Sequence, residues 1–364
     1  MIYIGKRMMV KPYLGAKDVK KIYLGNSLVW INTIPITFDF DGVTTTASDK
    51  VESGGTYVAV LSVVSGMTLV PSSVSVMMGN TDITSTAWNS SNNTITISSV
   101  TDDVTITATA LQIITFADTN VKSICVTNWG GNYFNGEITT LESASVTSLD
   151  GKFRGNTSIS SFNELQYFTG LTNLGNSTNG EFQGCTALAS VVIPSALITD
   201  ATRAFYNCTA LQSLDLSPLT PCTNLNIARL VQSSNNSANL TTIKLAGGTY
   251  SSLTATFSKK TGLTTIVIDG TADLSSISGF ASVFENCSAL TTITGTITGI
   301  KANIDFSACP LDVASATMIV AALDTPSAAR TLKLKSSMRS TYEADANFNA
   351  AVANKPSAWT ISYA

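Results

Sequence analysis

The chain has 364 residues, of which 44% are hydrophobic and only 12% are charged, and its formal net charge is −3. At about 150 residues per domain, this length allows two or three domains. Histidine is absent, which excludes Ser-His-Asp and Cys-His nucleophiles and histidine-ligated zinc. The charge balance gives no basic footprint for nucleic acid. Since Ser, Thr and Asn supply most of the polar groups, the composition favours a β-rich binding or structural protein over an enzyme.

The first thirty residues contain a short repeat, Tyr-(Ile/Leu)-Gly, at positions 3–5, 13–15 and 23–25. This pattern predicts short strands joined by tight turns. The segment is also basic, and its basic residues are Lys6, Arg7, Lys11, Lys17, Lys20 and Lys21. Against Asp18 they leave a surplus of five positive charges, so the rest of the chain carries −8. We predict an N-terminal β anchor over residues 1–32, and the pattern fits a solvated hairpin face as well as a module that docks on an acidic surface.

The N-terminus also bears on targeting. Lys6, Arg7 and Lys11 interrupt any apolar signal-peptide region. The longest apolar stretch, 57–70, is broken by polar residues and is shorter than the roughly 20 residues of a membrane span. We therefore expect neither a signal peptide nor a membrane span.

Residues 33–110 have the pattern of an all-strand domain. Apolar residues alternate with other residues over 34–40, 94–97 and 104–107, and continuous apolar runs over 57–61 and 74–78 indicate buried strands. A turn is indicated at Gly79-Asn80. Short strands at this spacing predict a β-sandwich of about 75 residues.

A longer unit recurs between residues 125 and 309. It reads Phe-x-(Asn/Gly)-Cys-(Thr/Ser)-Ala-Leu, and it continues with the strand pattern Leu-x-x-Leu-x-Leu or a close variant. Recognisable copies begin at Phe153, Phe182, Phe205, Phe257 and Phe284. The length and pattern are those of a leucine-rich repeat. In one further copy, Leu230 takes the place of the aromatic residue.

The copy that begins at Phe205 shows why such units must stack. Leu211, Leu214 and Leu216 are expected to point inward, and Phe205 and Cys208 are expected to fill the same layer from the opposite wall. A single unit cannot bury this apolar face alone, so neighbouring units must cover it. We predict a leucine-rich-repeat solenoid over residues 111–309.

The chain has six cysteines: Cys125, Cys185, Cys208, Cys222, Cys287 and Cys309. None forms a Cys-x-x-Cys pair, so nothing indicates a thiolate metal site or a redox motif. An even number also suits a disulfide framework, but such frameworks are typical of short secreted chains. We expect buried thiols that pack as small apolar groups, and we expect no cofactor.

The outward residues of the repeat strands form a polar, mostly uncharged ladder. The candidate ligand-binding residues are Ser213, Asp215, Thr242, Lys244, Thr265, Asp269, Thr292 and Thr294. Short hydroxyl groups suit a glycan or a protein partner better than a polyanion, and they equally suit a face that is only solvated. Asp215 and Asp269 could form the carboxylate pair of a glycosidase. They lie two repeats apart with no motif that would perturb either group, so we expect no enzyme activity and no catalytic residue.

Residues 310–364 change to a mixed pattern. Helical spacing begins near Asp312 and runs to Leu323, and a second alanine-rich helix is expected over 342–352. Strands are expected at 331–334 and 359–361. Such an atypical terminal segment predicts an α/β cap that covers the exposed end of the stacked core.

These residues carry resemblances to known families. The Phe-x-(Asn/Gly)-Cys-(Thr/Ser)-Ala-Leu units resemble BspA-type leucine-rich repeats, and the segment after Leu311 is similar to the cap that follows those repeats. Residues 76–108 look like the small immunoglobulin-like modules of phage tail and baseplate proteins. Residues 20–30 resemble N-terminal segments of phage structural proteins. The resemblances imply a mainly β chain with an N-terminal β-hairpin segment, an immunoglobulin-like sandwich, a leucine-rich-repeat solenoid and an α/β cap.

The stretch from Cys125 to Glu142 resembles a segment that in relatives carries an EF-hand-like calcium loop. If Gly136 is the sixth position, Asn135 and Glu142 could be ligands, but the first and third positions hold Gly131 and Tyr133, which offer no carboxylate. We expect a degenerate loop without metal. Two tryptophans, Trp88 and Trp129, are expected to be core residues rather than sugar-stacking platforms.

The resemblances imply a phage virion protein, an accessory tail or head fibre or adhesin that assembles in the host cytoplasm. Its N-terminal segment would bind other virion proteins, and its repeats would bind a glycan or protein on the host surface. The expected lack of a signal peptide favours this interpretation. The alternative is a bacterial BspA-type cell-surface binding protein with a secretion signal encoded upstream of Met1. The sequence does not decide whether the chain forms a homo-oligomer.

Overall fold

The computed structural model describes residues 2–4, 7–9, 13–14, 17–18, 21–24 and 26–364, and the chain divides into two compact units, Met1–Ile113 and Ile114–Ala364. Strands make up 32% of the chain and helices 17%, so the prediction of a mainly β protein is confirmed. Within the described residues, no helix combines the length and the apolar character needed to cross a bilayer. The finer division into four domains stays a prediction.

Short antiparallel strand pairs follow the ten-residue repeat at the start of the chain. The pairs are β1 (Ile2–Ile4) with β2 (Arg7–Met9), β3 (Tyr13–Leu14) with β4 (Lys17–Asp18), and β5 (Lys21–Leu24) with β6 (Ser27–Ile31). The expected short strands are therefore present. The repeat glycines Gly5, Gly15 and Gly25 lie outside the described residues.

The rest of the first unit is built from short strands. They are β7 (Thr33–Asp41), β8 (Val43–Thr44), β9 (Lys50–Glu52), β10 (Tyr57–Val60), β11 (Ser62–Val63), β12 (Thr68–Leu69), β13 (Ser75–Met78), β14 (Thr81–Asp82), β15 (Trp88–Asn89), β16 (Thr94–Ile97) and β17 (Val104–Leu111), with α1 (Thr84–Ala87) and a 3-10 helix at Pro71–Ser73. The largest sheet has the order β14-β13-β17-β7-β9 with β12 beside β17, and a second sheet has the order β10-β16-β15. β7 and β17 run parallel, and the other pairs in these two sheets are antiparallel. The immunoglobulin-like assignment stays a prediction.

Alternating burial in these strands forms the core of the first unit. Ile34 and Ile36 of β7 are buried, as the two-residue period predicts. The apolar run 57–61 differs from the expectation of a fully buried strand, because Val58 and Val60 are each 54% exposed. β10 lies at the edge of its sheet, and only one of its faces contacts the core. Trp88 is half-buried against this core, which confirms its expected role.

The second unit contains the repeats and two helical ends. Its strands are β18 (Ser161–Phe162), β19 (Ser190–Val191), β20 (Ser213–Asp215), β21 (Cys222–Asn226), β22 (Thr242–Ser252), β23 (Thr265–Asp273), β24 (Thr292–Thr298), β25 (Ile304–Asp305), β26 (Arg330–Leu334) and β27 (Trp359–Tyr363). Its helices are α2 (Thr119–Trp129), α3 (Thr140–Ala144), α4 (Val313–Ala321), α5 (Arg339–Glu343) and α6 (Ala346–Asn354), with 3-10 helices at Asn163–Tyr167, Ser217–Leu219 and Ser336–Met338. A parallel sheet has the order β20-β22-β23-β24, with β21 also paired to β22. β25, β26 and β27 form a second parallel sheet.

The repeat aromatic residues stack from one unit to the next. The ring centroids of Phe182 and Phe205 are 5.3 Å apart, and those of Phe257 and Phe284 are 5.6 Å apart. Between these pairs, Phe205 N donates to Leu230 O at 2.9 Å, and in a parallel ladder this places Val231 opposite Phe205. Val231 therefore takes the aromatic position, and the assignment of Leu230 is wrong by one residue. Both side chains are buried.

All six cysteines are free and buried, as predicted. The thiols of Cys185, Cys208 and Cys287 donate to the carbonyl oxygens of Phe153, Phe182 and Phe257, at 3.0, 3.0 and 3.1 Å. Each thiol thus bonds to the aromatic residue of the preceding repeat. Burial raises the pKa of Cys185 to about 11 and that of Cys287 to about 12, so these thiols are structural rather than reactive.

Two helices, α2 and α3, precede the repeats and lie within the range 111–309 that is predicted to form the solenoid. Asp118 caps α2 by accepting from Asn120 N and Val121 N, and Thr139 and Glu142 form a capping box at α3. Trp129, at the end of α2, stacks on Phe153 with a ring-centroid distance of 6.3 Å. It is half-buried and packs against the core, in agreement with its expected packing role.

The C-terminal segment combines helices and strands as predicted, with one difference. Asp312 caps α4, since its Oδ1 accepts from Ser315 N at 2.7 Å. The single helix expected over 342–352 is wrong, because the chain forms α5 and α6 with a break between them. Asp345 causes the break, since its carboxylate accepts from Phe348 N at 2.9 Å and starts a new helix.

Candidate functional site

The parallel sheet of the second unit aligns four of the candidate residues in one row. Ser213 is the partner of Thr242, Thr242 of Thr265, and Thr265 of Thr292. Neighbouring strands lie about 4.8 Å apart, so four hydroxyl groups follow one another across the sheet. Ser213 is exposed and the three threonines are half-buried. Their inward neighbours Leu214, Ile243, Ile266 and Ile293 are buried, which holds the row at the surface.

The next row differs from the one that the sequence suggests. Asp215 is the partner of Lys244, Lys244 of Val267, and Val267 of Thr294. Asp269 lies one outward position further along β23, opposite Ala246. Asp269 was predicted as a ligand-binding residue because it is polar, but the backbone register places Val267 in this row instead.

The charged candidates have separate partners. Lys244 Nζ lies 3.9 Å from Asp215 Oδ2, and both side chains are more than a third exposed, so this ion pair contributes little. Thr220 donates its hydroxyl to Asp269 Oδ2 at 3.3 Å and accepts from Gly247 N at 3.0 Å. Asp269 therefore helps to hold the loop around Thr220. The two carboxylates of the glycosidase hypothesis thus lie in different rows with different partners.

A second column of threonines, which is not among the candidate residues predicted from the sequence, runs beside the first row. Thr264 donates its hydroxyl to Thr241 O at 3.0 Å, and Thr291 donates to Thr264 O at 3.4 Å. The hydroxyls of Thr264 and Thr265 are 3.3 Å apart, and so are those of Thr291 and Thr292. The repeated Thr-Thr-Ile triplet is the sequence signal for this column. We call the two columns the threonine ladder: Ser213, Thr241, Thr242, Thr264, Thr265, Thr291 and Thr292.

The candidate anchoring residues are only partly described. Lys6, Lys11 and Lys20 lie outside the described residues, and Arg7 and Lys17 lie in β2 and β4. Lys21 Nζ forms an ion pair with Glu52 Oε1 at 2.6 Å. This hydrogen bond raises the pKa of Lys21. One of the six basic residues is thus paired within its own unit.

The degenerate loop before α3 uses its acidic residue for capping. Glu142 Oε2 accepts from the backbone N and the hydroxyl of Thr139, at 2.7 and 2.9 Å, and its Oε1 accepts from Asn132 N at 2.8 Å. Both carboxylate oxygens therefore have protein donors. The part of the chain that the structure describes holds no group of three or more Cys, Asp or Glu side chains arranged to bind a metal ion.

Stacked units with inward aliphatic and aromatic columns and a parallel sheet are the features of leucine-rich repeats. Residues 143–226 and 161–312 match the BspA type leucine-rich repeat region, so BspA-type repeats are present, as the sequence predicts. Such repeats are consistent with a surface or binding protein. No curated protein and no solved structure matches the chain.

Proposed function

We propose that the protein is a non-enzymatic binding protein whose threonine ladder contacts a neutral glycan or protein on a host surface. The observation that carries this proposal is the row Ser213, Thr242, Thr265 and Thr292, which continues over four parallel strands. A hydroxyl group both donates and accepts hydrogen bonds. A row of hydroxyls at strand spacing therefore offers repeated, uncharged contacts to a partner with its own hydroxyl or amide groups.

The hydrogen bonds within the ladder support this role. The hydroxyls of Thr264 and Thr291 are held by the carbonyls of the preceding repeat, so their orientation is set before a partner binds. Preorganised groups lose less conformational entropy on binding. Lys244 and Asp215, which lie beside the row, form a solvent-exposed ion pair, and their opposite charges balance, which favours a neutral partner over a charged one.

A test removes hydroxyls without changing shape. Thr242→Val and Thr265→Val are nearly isosteric, and we expect the double variant to bind a glycan array or labelled host cells about tenfold more weakly, with unchanged folding. Thr96→Val is the matched control, since Thr96 is an exposed strand residue of the first unit. Binding of the double variant at the wild-type level would contradict the proposal.

For the biological setting, we infer that the protein is an accessory tail or head fibre or adhesin of a phage virion. The strand pairs and basic surplus of residues 1–32 support an anchoring role toward other virion proteins. The match to BspA-type repeats supports the second candidate equally well, a bacterial cell-surface binding protein. Both candidates use the same binding face and differ in what holds the N-terminal segment.

Mass spectrometry separates the two settings. We expect the chain in purified virions, at a copy number set by its attachment point. Detection on intact bacterial cells by surface proteolysis, with none in virions, would replace the phage setting with the bacterial one. Absence from both preparations would contradict both candidates while leaving the binding test above intact.

A further inference from the structure

The wall of the repeats that carries the phenylalanine and cysteine columns is joined by its own backbone ladder. The N–H groups of Arg203, Phe205 and Asn207 donate to the carbonyls of Ala228, Leu230 and Gln232, at 3.0, 2.9 and 2.9 Å. Two repeats later, Ala255, Phe257 and Lys259 donate to Ala281, Val283 and Glu285, at 2.9, 3.1 and 2.7 Å. Three donors spaced two residues apart thus join each of these repeats to the next.

The ladder stops at the following junction. Ser282, Phe284 and Asn286 hold the three equivalent positions, and in the described chain their N–H groups donate to no protein acceptor. The next segment turns away toward β26, because Phe306 N donates to Lys333 O at 2.8 Å and Ile304 pairs with Leu332. Since Ile304 and Phe306 face β26, the main chain of Asp305 between them faces the open junction.

A cleft occupies this junction. One part has a volume of about 380 Å³ and is lined by Ser282, Phe284, Asn286 and Ser307 among others. A second part of about 590 Å³ shares Phe280, Ser282 and Asp305 with the first, so the two parts are adjacent. Phe284, which lines the first part, stacks on the buried ring of Phe306 with a centroid distance of 4.3 Å. The result is a surface slot with an apolar floor and main-chain groups along its lips.

We propose that this slot binds an extended polypeptide segment of a partner protein. The N–H groups of Ser282, Phe284 and Asn286 repeat every second residue, and an extended peptide presents carbonyl groups at the same period along one edge. The Asp305 carbonyl on the other lip accepts from an N–H on the peptide's second edge. The peptide thereby takes the place that a neighbouring repeat fills elsewhere in the stack, which is recognition by strand addition.

The charges and rings of the slot favour a peptide over other ligands. Glu285 and Asp305 are balanced by Arg330 and Lys333, and Lys333 Nζ lies 3.3 Å from Asp305 Oδ2. No net field therefore selects an anion or a cation. Phe280 and Phe284 are only 5% and 8% exposed, so neither ring offers an open face for a sugar. The slot is separate from the threonine ladder. A result against peptide binding in the slot would therefore leave the proposed function of the ladder unaffected.

Amide hydrogen exchange on the full chain tests the proposal directly. The probe is the hexapeptide acetyl-(Thr-Val)₃-amide at about 1 mM, a concentration suited to weak main-chain binding. We expect exchange at Ser282, Phe284 and Asn286 to slow about tenfold. The same peptide N-methylated at alternate residues, which blocks one edge, should give no protection. Unchanged exchange with the probe, or equal protection by the N-methylated peptide, would overturn the proposal, as would protection by maltohexaose in place of the peptide.

A pair of variants places the binding in the slot. Ser307→Trp puts an indole into the cleft and should weaken probe binding about tenfold. Gln183→Trp is the matched control: it also follows a column phenylalanine, but Phe182 N donates to Ala204 O and the ladder there is closed. Thermal unfolding checks that both variants fold. Binding by S307W at the wild-type level, or equal loss in Q183W, would count against the slot.

Discussion

At the scale of single residues, Lys260 is the least expected side chain in the core. It stands three residues after Phe257, where two other units have Cys208 and Cys287, and it is only 1% exposed. Its Nζ donates to Ser233 Oγ at 2.7 Å. The chain between Val231 and Leu240 is three residues longer than the equivalent stretch from Phe205 to Leu211. This longer turn supplies the serine that the ammonium group contacts.

The buried ammonium makes stability depend on pH. Burial lowers the pKa of Lys260 from 10.5 to about 8, against an opposing effect of the nearby thiols Cys208 and Cys287. Below pH 8 the lysine is charged in both states, and its burial costs about 3 kcal/mol of unfolding free energy. Between pH 8 and 10.5 the unfolded chain binds more protons than the folded chain, so this contribution to stability rises with pH.

Lys260→Met should therefore stabilise the protein at pH 7 by about 1–3 kcal/mol. The gain is smaller than the full cost of burying the charge because the hydrogen bond to Ser233 is lost. The gain should shrink as pH rises from 8 to 10.5. Chemical denaturation at a series of pH values measures the free energy of unfolding of the variant and of the wild type. The effect of the other titrating groups largely cancels in the difference between the two. Lys259→Met, at the half-buried neighbouring lysine, is the control and should show no such trend. A gain in unfolding free energy that did not depend on pH would contradict the lowered pKa of Lys260.

At the scale of elements, α4 closes the last strand of the repeat sheet. Ser315 is buried, and its hydroxyl accepts from Ile293 N at 2.8 Å and donates to Ile293 O at 3.2 Å. Asp312 N donates to Thr291 O at 2.7 Å. The first turn of the helix thus satisfies backbone groups at the edge of β24, where a further strand would otherwise pair.

Ser315→Ala should cost about 1–3 kcal/mol of unfolding free energy, because it leaves both backbone groups of Ile293 buried without partners. Amide exchange at Ile293 should accelerate more than exchange at other residues of β24. Ser340→Ala, at an exposed position of α5, is the control and should be nearly neutral. Unchanged exchange at Ile293 would contradict the capping role of Ser315.

Sequence reasoning identified these elements unevenly, for physical reasons. The repeat strands and α4 carry strong local patterns, and the structure contains them. α2 has weak apolar periodicity, and its signals are the cap residue Asp118 and the capping box Thr139-x-x-Glu142. In the site, the row of hydroxyls followed from alternation, but Asp269 was chosen because it is polar, although strict alternation from Thr265 leads to Val267, which lies opposite Lys244. Which residues of two strands lie opposite each other depends on long-range pairing, and a local pattern of polarity does not contain it.

At the scale of the whole molecule, the two units have separate cores. One continuous set of buried side chains runs from Ile114 to Trp359 and includes the phenylalanine and cysteine columns. A second set lies within the first unit and includes Ile36, Ile95 and Ile106. In a stack of repeats each unit is stabilised chiefly by its neighbours. Helices at both ends contribute to the same core, so we expect the second unit to unfold as one cooperative block.

Calorimetry of the full chain can test this division. Phe182→Ala in the repeats and Phe348→Ala in α6 should each cost about 3–5 kcal/mol and lower the same unfolding transition, because both rings are fully buried in one core. Ile95→Ala should cost about 2–5 kcal/mol and lower a different transition. If all three variants shifted a single transition, the two units would be one folding unit. If Phe182→Ala and Phe348→Ala shifted different transitions, the C-terminal cap would fold separately from the repeats it covers.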